Sequence, residues 1–150
     1  WQGFGYENDI PIPGDYDGDG TCDRALVRVS GSDLRWLIRE ADGNNYNYLW
    51  GYNTDIVKAL DFNGDGTTDP TLWRINSPTS VHWLIKNITT IVYGYETDIP
   101  VIGDFDGNGS YNIGLYRPGE SRWYIYVPTG TNYTQMYGEE GDIPIVGQTY

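Results

Sequence analysis

Trp50-Gly51-Tyr52-Asn53-Thr54-Asp55-Ile56-Val57, followed shortly by Asp61-Phe62-Asn63-Gly64-Asp65-Gly66-Thr67-Thr68-Asp69, is one copy of a pattern that recurs along this chain. Asp9-Ile10-Pro11, Asp55-Ile56-Val57, Asp98-Ile99-Pro100 and Asp142-Ile143-Pro144 are spaced by 46, 43 and 44 residues. An aromatic–Gly pair precedes each: Phe4-Gly5, Trp50-Gly51, Tyr93-Gly94 and Tyr137-Gly138. After the first three come acidic, glycine-rich loops at 15–23, 61–69 and 104–112, then Leu26-Val27-Arg28, Leu72-Trp73-Arg74 and Leu115-Tyr116-Arg117. A tryptophan segment completes each unit: Trp36-Leu37-Ile38, Trp83-Leu84-Ile85 and Trp123-Tyr124-Ile125. The repeats run over approximately 4–49, 50–92 and 93–136, with a partial fourth at 137–150.

Within a unit the pattern has period two. Leu34, Trp36 and Ile38 fall on one face and Arg35, Leu37 and Arg39 on the other, while Val81, Trp83 and Ile85 alternate with His82, Leu84 and Lys86. Alternation rich in aromatic and β-branched residues and bounded by Gly, Asn and Pro predicts strands, four per unit. A unit of ~40–50 residues with four strands is the signature of a β-propeller blade. The expectation is therefore all-β: propeller-type blades of four antiparallel strands, three repeats plus one spare strand, thirteen strands altogether.

The composition agrees. Gly 20 and Pro 8 stand against three Ala and two Lys among 150 residues, which starves helices. With 21 acidic and nine basic residues the net charge is −12 and the pI about 4.1. Such a chain offers nucleic acid no electrostatic footprint and is repelled by anionic membranes. No apolar run approaches the ~20 residues needed to cross a bilayer, which argues against membrane insertion. The single Cys22 excludes a disulfide framework within the chain. The chain opens on Trp1 without a basic-plus-apolar leader, which reads either as a removed signal or as a piece of a longer chain.

The loops carry the chemistry. Asp15, Asp17, Asp19 and Asp23 offer side-chain oxygens at positions 1, 3, 5 and 9, with Gly20 at position 6 for the turn and the Thr21 carbonyl at position 7. Asp61, Asn63, Asp65, Thr67 and Asp69 repeat the scheme, as do Asp104, Asp106, Asn108, Ser110 and Asn112. Ca²⁺ takes 6–8 oxygens at ~2.3–2.6 Å, and carboxylates this crowded repel one another unless a cation lies between them. An EF-hand needs Glu at position 12, where this chain has Leu26, Leu72 or Leu115. Three Ca²⁺ ions are expected, the third bound most weakly, because Asn108 and Asn112 replace carboxylates.

Aromatic–Gly, Asp-Ile-Pro and the Gly-Asp-aromatic-Asp-Gly loop resemble the FG-GAP and VCBS-type repeats, the calcium-binding propeller blades of integrin α-chain heads and many secreted bacterial proteins. The resemblance spans the chain and implies that the loop residues named above are the metal ligands, with carbonyls from Thr21, Thr67 and Ser110. Two departures stand out. Arg28, Arg74 and Arg117 occupy the place of the family's Gly-Ala-Pro stretch, and Gly147-Gln148 replaces the expected Gly-Asp.

Three such units do not close a ring. The expected partners are therefore a second copy, in a dimer closing a six-bladed ring or a head-to-tail polymer, or the rest of a longer propeller chain. Asp142-Ile143-Pro144 is a candidate strand for another copy's sheet. Trp36, Trp83 and Trp123 read as packing residues; Arg28, Arg74 and Arg117 read as stacked on rings or paired with carboxylates. Tyr46, Tyr48, Trp73, Tyr126 and Tyr133 are the candidates for stacking on a glycan ligand. His82 is the only histidine, and neither a Ser-His-Asp spacing nor a zinc cluster is present, so the chain is read as non-catalytic. Asn87 and Asn132 begin glycosylation sequons; a third, at Asn108, is better read as a metal ligand. The expected function is a calcium-stabilised extracellular or cell-surface module for self-assembly or adhesion. The alternatives are a glycan-binding lectin-like module and an accessory domain of a secreted carbohydrate-active enzyme.

Overall fold

The computed structural model describes residues 3–128, 130–139 and 141–145. Its strands form three four-stranded antiparallel sheets. The first contains β1 (Ile10–Pro11), β2 (Arg24–Ser30), β3 (Asp33–Arg39) and β4 (Asn45–Tyr52). The second contains β5 (Ile56–Leu60), β6 (Asp69–Ser77), β7 (Ser80–Ile85) and β8 (Thr89–Val92). The third contains β9 (Ile99–Gly103), β10 (Asn112–Arg117), β11 (Arg122–Tyr126) and β12 (Tyr133–Met136). Each sheet is a meander whose strands are neighbours in chain order. No α-helix occurs among the described residues; a single 3₁₀ turn, Pro118–Glu120, joins β10 to β11. Among the described residues no helix is long and apolar enough to cross a membrane. β4 runs through the aromatic–Gly pair to Tyr52, past the repeat boundary expected at 49.

The period-two pattern explains these strands. In β3, Leu34, Trp36 and Ile38 are buried while their neighbours are half-exposed, and β7 alternates likewise around Trp83. Register is conserved between units: Val27 faces Trp36, Trp73 faces Trp83 and Tyr116 faces Trp123. Trp73 is thus a core residue at 2% exposure, not the exposed stacking platform expected of it. Its position is a core position in every unit, for Val27 and Tyr116 are also fully buried.

The core lies between sheets. Val27, Leu34 and Trp36 pack against Val57 and Leu72 of the second sheet, with Tyr48, Trp50 and Leu84 at the margin. Leu60, Trp73, Val81 and Trp83 pack against Ile102, Ile113 and Leu115 of the third, with Tyr124 at the margin. Each tryptophan removes ~150–250 Å² from water, several kcal/mol at about 25 cal/mol per Å². Burial leaves the indole N–H needing an acceptor: Trp36 donates to the Trp50 carbonyl at 2.9 Å and Trp83 to that of Tyr93 at 3.1 Å. Trp123, expected to be equivalent, is only half-buried.

Twelve strands form among the described residues, not thirteen. Among the described residues, Asp142-Ile143-Pro144 joins no sheet. Gly147 and Gln148 lie outside the described residues.

Candidate metal centre

The three acidic loops share one geometry. Asp15 turns both carboxylate oxygens into its own loop: Oδ1 accepts from the Gly18 and Asp19 amides at 2.7 and 3.2 Å, and Oδ2 from Gly20 at 2.8 Å. Asp61 does the same with Gly64, Asp65 and Gly66 at 2.7, 3.2 and 2.9 Å. Asp104 accepts from Asn108 and Gly109, both at 3.0 Å. This curl needs left-handed backbone at two glycines per loop; in the first, Gly18 and Gly20 have φ of +78° and +84°.

Asp15, Asp17 and Asp19 are brought together, each with a carboxylate oxygen within 4.8 Å of the others. Partial desolvation and the charges of Asp19, Asp23 and Glu40 push the Asp17 carboxyl above its ordinary range. In the second loop, Asn63 donates its amide to Asp65 at 2.9 Å, which holds Asp65 below the usual range. In the third, Asn108 donates to Asp106 at 3.1 Å. The amide of Gly109, with Asn108 and Gly107 behind it, draws Asp104 below its ordinary range.

Position 9 differs in character. Asp23, Asp69 and Asn112 are buried at the base of their loops, each accepting the amide of the loop's second residue: Tyr16 at 2.8 Å, Phe62 at 3.0 Å and Phe105 at 2.9 Å. Asp23 also accepts from Ala41 at 3.0 Å and stands outside the Asp15–Asp17–Asp19 group. Burial, reinforced by Asp65 and Asp61, pushes Asp69 up to about 6, against the help of the Phe62 amide. A carboxylate oxygen bound to one amide keeps a second lone pair for a cation. Asn112 spends one lone pair of its single side-chain oxygen in the same way and carries an uncharged NH₂ where an aspartate has its second oxygen.

The loops are also stitched to one another. The Thr68 amide donates to the Asp15 carbonyl at 2.5 Å and the Tyr111 amide to the Asp61 carbonyl at 2.8 Å. A Cβ at Gly18 would lie 3.0 Å from Thr67 Oγ1, and one at Gly64 only 2.3 Å from Ser110 Oγ. The side chains at position 7, whose carbonyls were expected as ligands, therefore rest on the preceding loop. No sequence signal marks this stitch, since its donor is a backbone amide, carried by Thr68 in one case and Tyr111 in the other.

The repeated arginines are structural forks. Arg28 grips both oxygens of Asp9 at 2.7 Å, Arg74 those of Asp55 at 2.8 and 2.7 Å, and Arg117 those of Asp98 at 2.7 and 3.0 Å. Each guanidinium lies over a tyrosine, Tyr6, Tyr52 or Tyr95, at 4.2–4.3 Å from the ring centre. Arg28 holds the Asp9 carboxyl below its usual range. Among the described residues His82 meets Asn76 at 3.1 Å and Ser80 at 3.4 Å, and no carboxylate. Cys22 is exposed. Asn87 is exposed in the β7–β8 turn at φ +61°, and Asn132, also exposed, accepts from the Val127 amide at 2.9 Å. Of the glycan candidates, Tyr46 and Tyr133 are exposed, Tyr126 packs against Tyr93, and Tyr48 stacks on Trp36 at 6.3 Å.

Comparison with protein-family models, with curated proteins and with solved structures finds no match.

Proposed function

We propose that this chain is a non-catalytic, calcium-stabilised module of β-propeller type, whose three sheets are blades, and that it serves self-assembly or adhesion outside the cell or on its surface. The observation that carries the reading is the identical curl of three separate loops, which in the first gathers three carboxylates within 4.8 Å. Like charges at that separation repel by several kcal/mol at intermediate dielectric, and a divalent cation turns this cost into binding energy. Asp15, Asp17, Asp19 and the Thr21 carbonyl would hold the ion, with Asp23 beneath. Asp61, Asn63, Asp65, Thr67 and Asp69 would serve the second, and Asp104, Asp106, Asn108, Ser110 and Asn112 the third. Calcium would supply charge neutralisation and rigidity; the chain's residues position it and transmit the order to the stitched neighbouring loop. The resemblance to FG-GAP and VCBS-type repeats supports the same assignment and the same blade architecture. Calcium sites of modest affinity suit extracellular, millimolar calcium.

Calorimetric titration with calcium, paired with thermal melts in millimolar calcium and in chelator, tests this. Binding heat and a melting temperature several degrees higher with calcium are expected. A chain that binds no calcium and melts identically under both conditions overturns the reading.

A glycan-binding role has one observation in its favour. A cleft of about 430 Å³ between the first and second sheets is lined by Tyr46 and Tyr48 together with Asp17, Glu40 and Lys86. Rings beside carboxylates and an ammonium are the chemistry a saccharide uses. Sugar binding that persists when self-association is blocked would favour this reading.

A further inference from the structure

Each sheet is anchored at its start by one device, and a fourth copy of that device stands without its partner. Oδ2 of Asp9, Asp55 and Asp98 accepts the amide three residues earlier, from Tyr6, Tyr52 and Tyr95 at 2.7, 2.7 and 2.8 Å. The carboxylate is then gripped by an arginine from the sheet's second strand. Glu139 and Asp142 repeat these bonds: Glu139 donates its amide to Asp142 Oδ2 at 2.9 Å and accepts from the Asp142 amide at 3.2 Å. Gly138 has φ +100°, beside +107°, +95° and +115° at Gly5, Gly51 and Gly94. Yet Asp142 is exposed and has no arginine among the described residues, whereas the side chains of Asp9, Asp55 and Asp98 are at most 3% exposed. Ile143 and Ile145 are 81% and 89% exposed.

The edges of the molecule carry matching halves of its internal junctions. At each internal junction the position-8 amide of the later loop donates to the position-1 carbonyl of the earlier one. The Cys22 amide and the Asp104 carbonyl are the corresponding groups of the first and third loops, and neither has a partner among the described residues. Thr67 and Ser110 rest on Gly18 and Gly64, while Gly107 faces open space. Leu84 packs on the Trp36 cluster and Tyr124 on the Trp83 cluster. Leu37, at the same position in the first sheet, belongs to neither cluster, and Trp123 is half-exposed where Trp36 and Trp83 are fully buried. Trp123 in turn lines an open hollow of about 270 Å³ with Phe105, Ile125 and Tyr133.

We infer that the occupant is a second copy of this chain. Asp142-Ile143-Pro144 of one copy enters the first sheet of the next as its opening strand, with Asp142 taking Arg28, and that first sheet stacks on the donor's third. The resident strand it would displace pairs beyond its two exposed residues, Ile12 donating to the Ala25 carbonyl at 2.9 Å and Gly14 bridging Asp23. Glu139 arrives with Asp142, setting a second carboxylate beside Arg28 where Tyr6 now stacks. Strand addition supplies main-chain hydrogen bonds, and the Arg–carboxylate fork fixes the register. This inference rests on the self-assembly reading and names its surface.

Two equivalent aspartates then have opposite effects, which a packing role alone does not give. Sedimentation of the full chain in millimolar calcium should show association for the wild type. Asp142→Asn should weaken it about tenfold or more, since a lost charge-assisted fork amounts to at least one decade in affinity. Asp9→Asn should strengthen it, because it loosens the resident competitor. Asp142 is exposed, so its substitution leaves the fold in place. Association in which Asp142→Asn equals the wild type, or Asp9→Asn also weakens, overturns the donated strand and leaves self-assembly standing. A wild type that stays at 17.0 kDa at every concentration overturns both.

Discussion

Asp69 shows what a single buried carboxylate does to this chain. Its ordinary value of 3.8 is raised to about 6 by burial first and by Asp65 and Asp61 after it. An acid whose folded value is raised binds more protons folded than unfolded between those limits. The calcium-free protein therefore loses stability as pH rises from about 4 to about 6 through this group. Asp69→Asn should flatten that part of the profile, measured as melting temperature in chelator at pH 4.5 and pH 7. On the proposed calcium site the sign should invert, because a bound ion favours the charged carboxylate and a proton competes with it. Calcium affinity of the second loop should accordingly fall below about pH 6 in the wild type and not in Asp69→Asn. A melting difference between the two chains that is the same at both pH values would remove Asp69 from this role.

At the scale of elements, the turn ahead of each sheet depends on a glycine for space as much as for φ. A Cβ at Gly51 would lie 2.6 Å from Leu72 Cδ1, and Leu72 is fully buried, while φ there is +95°. Gly51→Ala should combine left-handed strain of ~1–2 kcal/mol with overpacking of ~1–3 kcal/mol. Gly31 has φ +70° in the β2–β3 turn but open space around it, so Gly31→Ala should cost only the first part. Urea denaturation in calcium separates the two, and equal losses would mean that Leu72 yields. Alternation in 34–38 and 81–85 made these strands legible in the sequence, because burial on one face of a sheet leaves a period of two. Trp73 was misread for lack of that signal: it lies in a nearly continuous buried run, and only comparison of its repeat position with Val27 and Tyr116 would have revealed it. The loops were legible as Asp and Gly at fixed offsets. That position 9 serves as a buried anchor for the loop amide was not, since Asp23 and Asp69 look like any other loop carboxylate in sequence.

For the whole molecule, the three loops form one stitched row on a chain of net charge −12, which three divalent ions would bring to −6. Their composition sets an order of filling. The first loop gathers three carboxylates with no side-chain amide among them and has Asp23 beneath. The second relieves Asp65 through the Asn63 side chain, and the third relieves Asp106 through Asn108 while Asn112 has an uncharged NH₂ in place of a second oxygen. Internal relief lowers the repulsion that a cation would otherwise cancel, so affinity should fall from the first loop to the third. Since the amide of each later loop donates to the carbonyl of the earlier one, the third ion should order the edge that a second copy meets. Asn112→Asp should therefore raise the weakest calorimetric step and lower the calcium concentration at which chains associate. Three equivalent sites in the wild type, or an Asn112→Asp chain that binds and associates as the wild type does, would separate loop charge from both affinity and assembly.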